Sequence, residues 1–353
     1  MTGRARATVA PGAFVALAIA IVFTPALLSD FNAQRAAYVG VYTIALVGLN
    51  VLTGYTGQIS LGHGAFMALG GYTTAILMVD HGVRDLWTIP AAAALAGVAG
   101  FLFGIPALRL SGLYLALATF AIAVSTPAVI KRFEGITGGS SGKSLFGKPE
   151  LTASLGPVHV FGQELTFNNW IYYLAWTVAL VGYVAAWLLL RGRTGRALRA
   201  LRDSETGAIS SGVSLARYKT LAFGVSAAYA GAAGSIYVIA NTYVNPGTFP
   251  ISLSIFLLVG VVLAGLGSLV GVIAGAVFIY FMPLTWAQEL DGAIPNWLPL
   301  IGDLSTKSQG APSVVLGAVL ILLMLALPGG ASGAVGRLTS LLGAARQRAA
   351  SRM

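Results

Sequence analysis

The chain of 353 residues contains no cysteine and little charge: Asp, Glu, Lys and Arg together make up 9% of it, against roughly 25% in soluble domains. Without cysteine there is no disulfide framework, no thiolate metal site and no cysteine nucleophile. So few charges cannot solvate the surface of a water-soluble fold. Acids are scarcest, with 11 Asp and Glu, and none falls inside an apolar segment. Proton-coupled and many ion-coupled carriers keep an ionisable group near the bilayer midplane, so secondary active transport loses weight. It is not eliminated, because unwound backbone carbonyls can hold sodium. The sequence also lacks an HExxH cluster, a nucleophile elbow and a pair of carboxylates at membrane depth. The chain is therefore expected to have no catalytic site and to bind no cofactor or metal.

What is abundant is apolar sequence, 57% of all residues. Long apolar segments recur from Gly12 to Leu327, which predicts an all-α, polytopic transmembrane helical bundle of about ten spans. The expected spans are 12–28, 36–53, 59–79, 88–108, 113–130, 169–190, 219–239, 251–266, 269–286 and 312–327. The eighth and ninth are separated by Gly265, Leu266, Gly267 and Ser268, a tight hairpin or a single broken helix. Arg4 and Arg6 precede the first segment in the manner of a signal peptide, but its length is that of a full span and it reads as a retained helix. The domain organisation is then an N-terminal tail over 1–11, one permease-like membrane domain over 12–327 and a basic tail over 328–353.

The net charge of +10 reports topology. Basic residues lie between apolar spans, without the aromatic-interleaved groove of a nucleic-acid binder. Arg191, Arg193, Arg196, Arg199, Arg202, Arg217 and Lys219 crowd the loop over 191–218 and its border. Placing that loop in the cytoplasm puts both termini there too. Most acids, Asp30, Asp80 and Asp85 among them, then face the other side, with long external loops at about 131–168 and 287–311. These form a lid or docking surface, or flexible loops anchored by Trp286 and Trp297.

Glycine occurs at helix-packing spacing. Gly100 and Gly104 form one GxxxG, and Gly267, Gly271 and Gly275 form two more, expected along one helix face. Between the second and third spans, Asn50, Gly54, Gly57, Gln58, Ser60, His63 and Gly64 place flexible and polar residues at the end of one helix and the start of the next. Irregular backbone at membrane depth is tolerated beside protein or water. These residues are candidates for lining a pathway, or else they form an interfacial turn with its polar groups satisfied. The run Thr137 to Ser144 imitates a phosphate-binding loop, but Walker A needs glycine where Thr137 stands.

The loop over 196–212 has its own pattern. Arg196, Arg199 and Arg202 recur every third residue with Leu198 and Leu201 between them, predicting a short amphipathic surface helix. Asp203 or Ser204 can cap a second short helix that ends near Gly212. Arginines of this kind also bind anionic lipid. Glu205, Gly207, Ala208 and Gly212 resemble the degenerate EAA signature of permease subunits in ATP-binding cassette importers. The stretch 195–205, followed by 212–223, resembles the LivM-type branched-chain amino acid permeases. Segments 48–50, 54–57, 60–72, 137–142, 252–256 and 265–276 agree with that superfamily in order. Gly207 replaces the usual Ala, and Ala264 stands where a second Gly often precedes Gly265; both keep the position small.

The resemblance implies a multi-pass protein of the bacterial cytoplasmic (inner) membrane that takes up branched-chain amino acids. Urea and short-amide permeases of the same superfamily share the pattern. It implies a heterodimer with an H-type permease subunit, two ABC ATPase subunits beneath that consume ATP and Mg, and an external solute-binding protein. Arg199, Arg202, Asp203, Ser204, Glu205, Gly207, Ala208 and Gly212 would then couple to the ATPases. A stand-alone channel or secondary carrier leaves the loop unexplained, and a membrane enzyme using His159 or Glu164 has no clustered catalytic set.

Overall fold

The computed structural model describes residues 29–145, 159–160, 163–164 and 166–281, together with Gly330 and Gly333. The expected spans 12–28 and 312–327, the loop 287–311 and most of both tails lie outside the described residues. Among the described residues eleven helices run in order: α1 Asp30–Leu49, α2 His63–His81, α3 Asp85–Ala107, α4 Gly112–Arg132, α5 Glu134–Thr137, α6 Phe167–Arg191, α7 Arg193–Asp203, α8 Glu205–Ser210, α9 Leu215–Asn241, α10 Ile251–Ala264 and α11 Val272–Phe281. A π-helical turn, Asn50–Gly54, continues α1 without interruption. Four two-residue strands follow the order β1 Lys143–Ser144, β2 His159–Val160, β3 Gln163–Glu164 and β4 Tyr243–Val244, with β1 antiparallel to β4 and β2 to β3.

Five of these helices, α1 with its π turn, α3, α4, α6 and α9, are long and apolar enough to cross a membrane. Their burial separates them by role. α1 and α9 form the core, with Val41, Ile44, Leu46, Leu49, Phe223, Ile236 and Ile239 almost wholly enclosed. α3, α4 and α6 surround them and turn Leu102, Leu117, Val181 and Leu188 outward, a surface that only an apolar solvent accommodates. Gly100 and Gly104 do pack as expected: a Cβ at either would fall within 3 Å of α9.

The two ends of the bundle are identified by what closes them. At one end lie α7, α8, the π turn and the link between α10 and α11. At the other, Asp30 accepts hydrogen bonds from Thr166 and Asn168, Asp80 pairs with Lys143 at 2.6 Å, and the wholly buried Asp85 accepts from the Trp170 indole at 3.2 Å. The β1–β4 pair ties the 137–144 loop to the end of α9 at this same end. That loop, the phosphate-loop imitator, is thus a brace between helices.

Three expectations need correction. Helical structure in the third span starts at His63, not at residue 59, because 57–62 is unwound. The 251–266 segment is a 14-residue helix, about 21 Å long at 1.5 Å per residue, too short for a hydrocarbon core of about 30 Å. It forms a hairpin with α11, in which a Cβ on Gly275 would meet the Gly260 carbonyl. Gly267 and Gly271 are not on a helix face with Gly275; both belong to the turn, and Gly267 has φ of +77°.

Candidate functional site

α7 lies at the surface as the arginine spacing predicts. Gly195, Ala197, Leu198 and Leu201 face the bundle, and Arg196 and Arg202 lie on the exposed side. Ser204, not Asp203, caps α8: its Oγ accepts the Gly207 N–H at 3.1 Å. α8 buries Ala208 alone and leaves Thr206, Ile209 and Ser210 exposed. The chain leaves α8 through Gly212 at φ +80°, a left-handed turn suited to glycine. Glu205 forms a 2.6 Å ion pair with Lys219 in the first turns of α9, and the Lys219 side chain is 5% exposed. Enclosing an ammonium is costly without a partner, so Glu205 fixes α8 to α9. The sequence marked Lys219 only as one of the basic residues that set topology, not as the partner of Glu205, and did not mark the exposed Ile209.

Arg202 connects this surface to the interior. Its guanidinium donates to the Gly54 carbonyl at the end of the π turn, which the wider π geometry leaves available. Asn50, at the start of that turn, is wholly buried and uses both ends of its amide. Nδ2 donates to the Ser268 carbonyl at 2.7 Å, and Oδ1 accepts the Gly267 N–H at 3.0 Å. Asn50 therefore holds the α10–α11 turn as a backbone strand would. The approach is close enough that a Cβ on Gly54 would sit 1.9 Å from Asn50 Oδ1 and 2.5 Å from Gly267 N. Gly267 and Ser268 are thus part of the cluster, and their small-residue run after an apolar helix is a legible turn signal.

The remaining residues of the unwound segment lie deeper. Gly57 is exposed against Arg202, while Gln58, Ser60, His63 and Gly64 are buried. His63 bonds through Nε2 to the Ala45 carbonyl at 2.9 Å, which anchors the start of α2 to α1. Gly64 donates its N–H to Ser254 Oγ at 2.9 Å, in the first turn of α10. Ala45 lies 15 residues below Asp30 along α1, about 22 Å at 1.5 Å per residue. Two helices, α2 and α10, therefore begin inside the bundle with their N-terminal ends together. Gln58 stands apart: its buried amide has no hydrogen-bond partner for either end among the described residues.

Among the described residues no group of three or more His, Cys, Asp and Glu is placed to hold a metal. The family model described as branched-chain amino acid transport system / permease component matches residues 33–326. The high-affinity branched-chain amino acid transport system permease protein LivM of Escherichia coli (strain K12) is 35% identical over 289 residues, covering 75% of this chain and 66% of that protein. LivM of Salmonella typhimurium matches over the same length at the same identity. LivH of Salmonella typhimurium is 25% identical over 308 residues, covering 83% of this chain and 91% of LivH. The chain thus spans just under two thirds of the length of the LivM relatives, and no solved structure matches it significantly. The family match begins in α1 and runs through every described helix that follows it, and the chain belongs to the branched-chain amino acid transport system permease component family.

Proposed function

We propose that the chain is the transmembrane permease subunit of an ATP-driven importer, forming half of the pathway for branched-chain amino acids. An H-type permease would supply the other half, two ABC ATPases would bind the α7–α8 face, and a solute-binding protein would deliver solute to the opposite face. Both termini and α7–α8 would then be cytoplasmic, in a bacterial inner membrane. The observation that carries this reading is the link from α7 through Arg202 to the π turn and, through Asn50, to the α10–α11 turn. A surface helix pair of no use to a simple channel is wired to the place where the helices are broken. Movement of α7 and α8 under an ATPase would pull on Gly54 and Gly267 together, and so tilt α1 against the α10–α11 hairpin. Ser60, His63 and Gly64, at the inner ends of α2 and α10, and the unpartnered Gln58 would then border the pathway once the packing opens.

The test is reconstitution in proteoliposomes with the partner subunits and leucine-loaded binding protein. ATP-dependent leucine uptake is expected. Arg202→Ala should lower uptake by about tenfold, the scale of couplings carried by single side chains, while ATP hydrolysis persists. Leucine transport by the chain alone, or undiminished uptake by the variant, overturns the reading.

A further inference from the structure

At the end opposite α7 and α8, a cleft of about 550 Å³ opens between α1, α9, α10 and α11, within the roughly 300–1,000 Å³ of small-molecule sites. Its described lining contains no charged residue. The described lining therefore offers no opposite charge to a solute that carries a net charge.

Three features on its wall are unspent. Tyr42 is 7% exposed, lines the cleft, and its hydroxyl has no hydrogen-bond partner among the described residues. α10 begins in the cleft at Pro250, and no side chain caps it; the Leu253 N–H turns back to the Pro250 carbonyl at 3.0 Å, which leaves the Ile251 and Ser252 amides, at the positive end of the helix dipole, with hydrogen-bonding capacity among the described residues. Below them, Leu253, Phe256 and Ile279 form an apolar wall. The polar wall is held in place: Tyr38 stacks on Tyr280 at 5.7 Å and donates to Asn241 Oδ1 at 2.7 Å. The start of α10 is also at bundle depth, beside Gly64, where a helix N-terminus is shielded from bulk water and most effective toward an anionic group.

We infer that this cleft is a binding station for a small zwitterion with an apolar side chain, its carboxylate on the N-terminal amides of α10, its polar head within reach of Tyr42, and its side chain against Leu253, Phe256 and Ile279. The inference rests on the importer reading and deepens it by giving the solute a place in this chain.

The lack of cysteine supplies the experiment. Ser252→Cys on the cleft wall and Ser29→Cys at the exposed start of α1 are each introduced into the assembled transporter in lipid nanodiscs, and the rate of thiol modification is followed by mass. Gly247→Cys, on the rim, replaces Ser252→Cys if that variant does not assemble. L-leucine should slow modification in the cleft and leave Ser29→Cys unchanged, while L-arginine and L-glutamate should do neither. Adding Tyr42→Phe should raise the half-protecting leucine concentration about 3- to 10-fold, the loss of one hydrogen bond. No protection by leucine, equal protection by arginine or glutamate, or protection by urea alone overturns the inference. Uptake by the wild-type complex is measured alongside. Uptake without protection removes the station and leaves the importer standing; protection without uptake removes the importer and leaves the station.

Discussion

The two ends of the bundle are built on opposite plans. Around Asn50, Gly54, Arg202 and Gly267, polar groups are partnered and backbones are in contact. Around Tyr42 and the start of α10, a hydroxyl without a hydrogen-bond partner among the described residues and a helix terminus without a side-chain cap stand beside an open space. A junction with no slack passes displacement on, because packed interfaces shift as units. A wall with unspent hydrogen-bonding capacity has something left for a solute. On the importer reading proposed above, transmission and recognition would then sit at opposite ends of the same three helices, α1, α10 and α11.

The contrast is broken most severely at Gly54. Gly54→Val places atoms where Asn50 and Gly267 already are, and a loss of about 3 kcal/mol or more is expected, seen as failure to recover folded protein from membranes. Asn50→Leu comes next. It leaves the Gly267 N–H and Ser268 carbonyl unpaired, a cost of about 3 kcal/mol, measurable as a lower thermal midpoint in detergent; an unchanged midpoint would mean the turn holds itself.

Glu205→Gln tests the ion pair beneath α8. It strands the enclosed Lys219 ammonium, and because Glu205 is itself half-exposed a loss of about 1–2 kcal/mol is expected. Adding Lys219→Met should restore stability without restoring ATPase-coupled uptake, if the pair fixes α8 in place. Smallest is Ser252→Ala in the cleft, where no hydrogen bond is lost among the described residues and the thermal midpoint should move by less than about 0.5 kcal/mol equivalent. A large fall there would make the cleft wall structural and erase the contrast.

The long helices were legible because apolar length is the dominant signal in such a chain. The amphipathic spacing around Leu198 and Leu201 was equally plain, and α7 follows it. What was not legible are features set by depth. The 251–266 segment has the composition of a span, yet α10 starts inside the bundle because residues 245–250 descend between α2 and α9, with Phe249 against Gly71. Periodicity carries no record of that. Gly267 shares GxxxG spacing with Gly271 and Gly275, but spacing cannot distinguish a helix face from a turn. Asp85 read as a loop acid; it is buried because Trp170, 85 residues away, reaches it. Among the candidate pathway residues, His63 and Gly64 were flagged as a helix start, while their partners Ala45 and Ser254 depend on packing alone.

The π turn at Asn50–Gly54 gives this region an unusual sensitivity to chain length. A π ring closes over one more residue than an α ring. Deleting a single residue there would let the helix close in the ordinary way and leave the flanking turns in nearly the same register, because the π turn is what accommodates the extra residue. What would be lost is the local geometry that presents the Asn50 amide and the Gly54 carbonyl together to the α10–α11 turn and to Arg202. In this stretch a gap of one can spare the helix and still remove the junction, and sequence comparison should weigh gaps here accordingly.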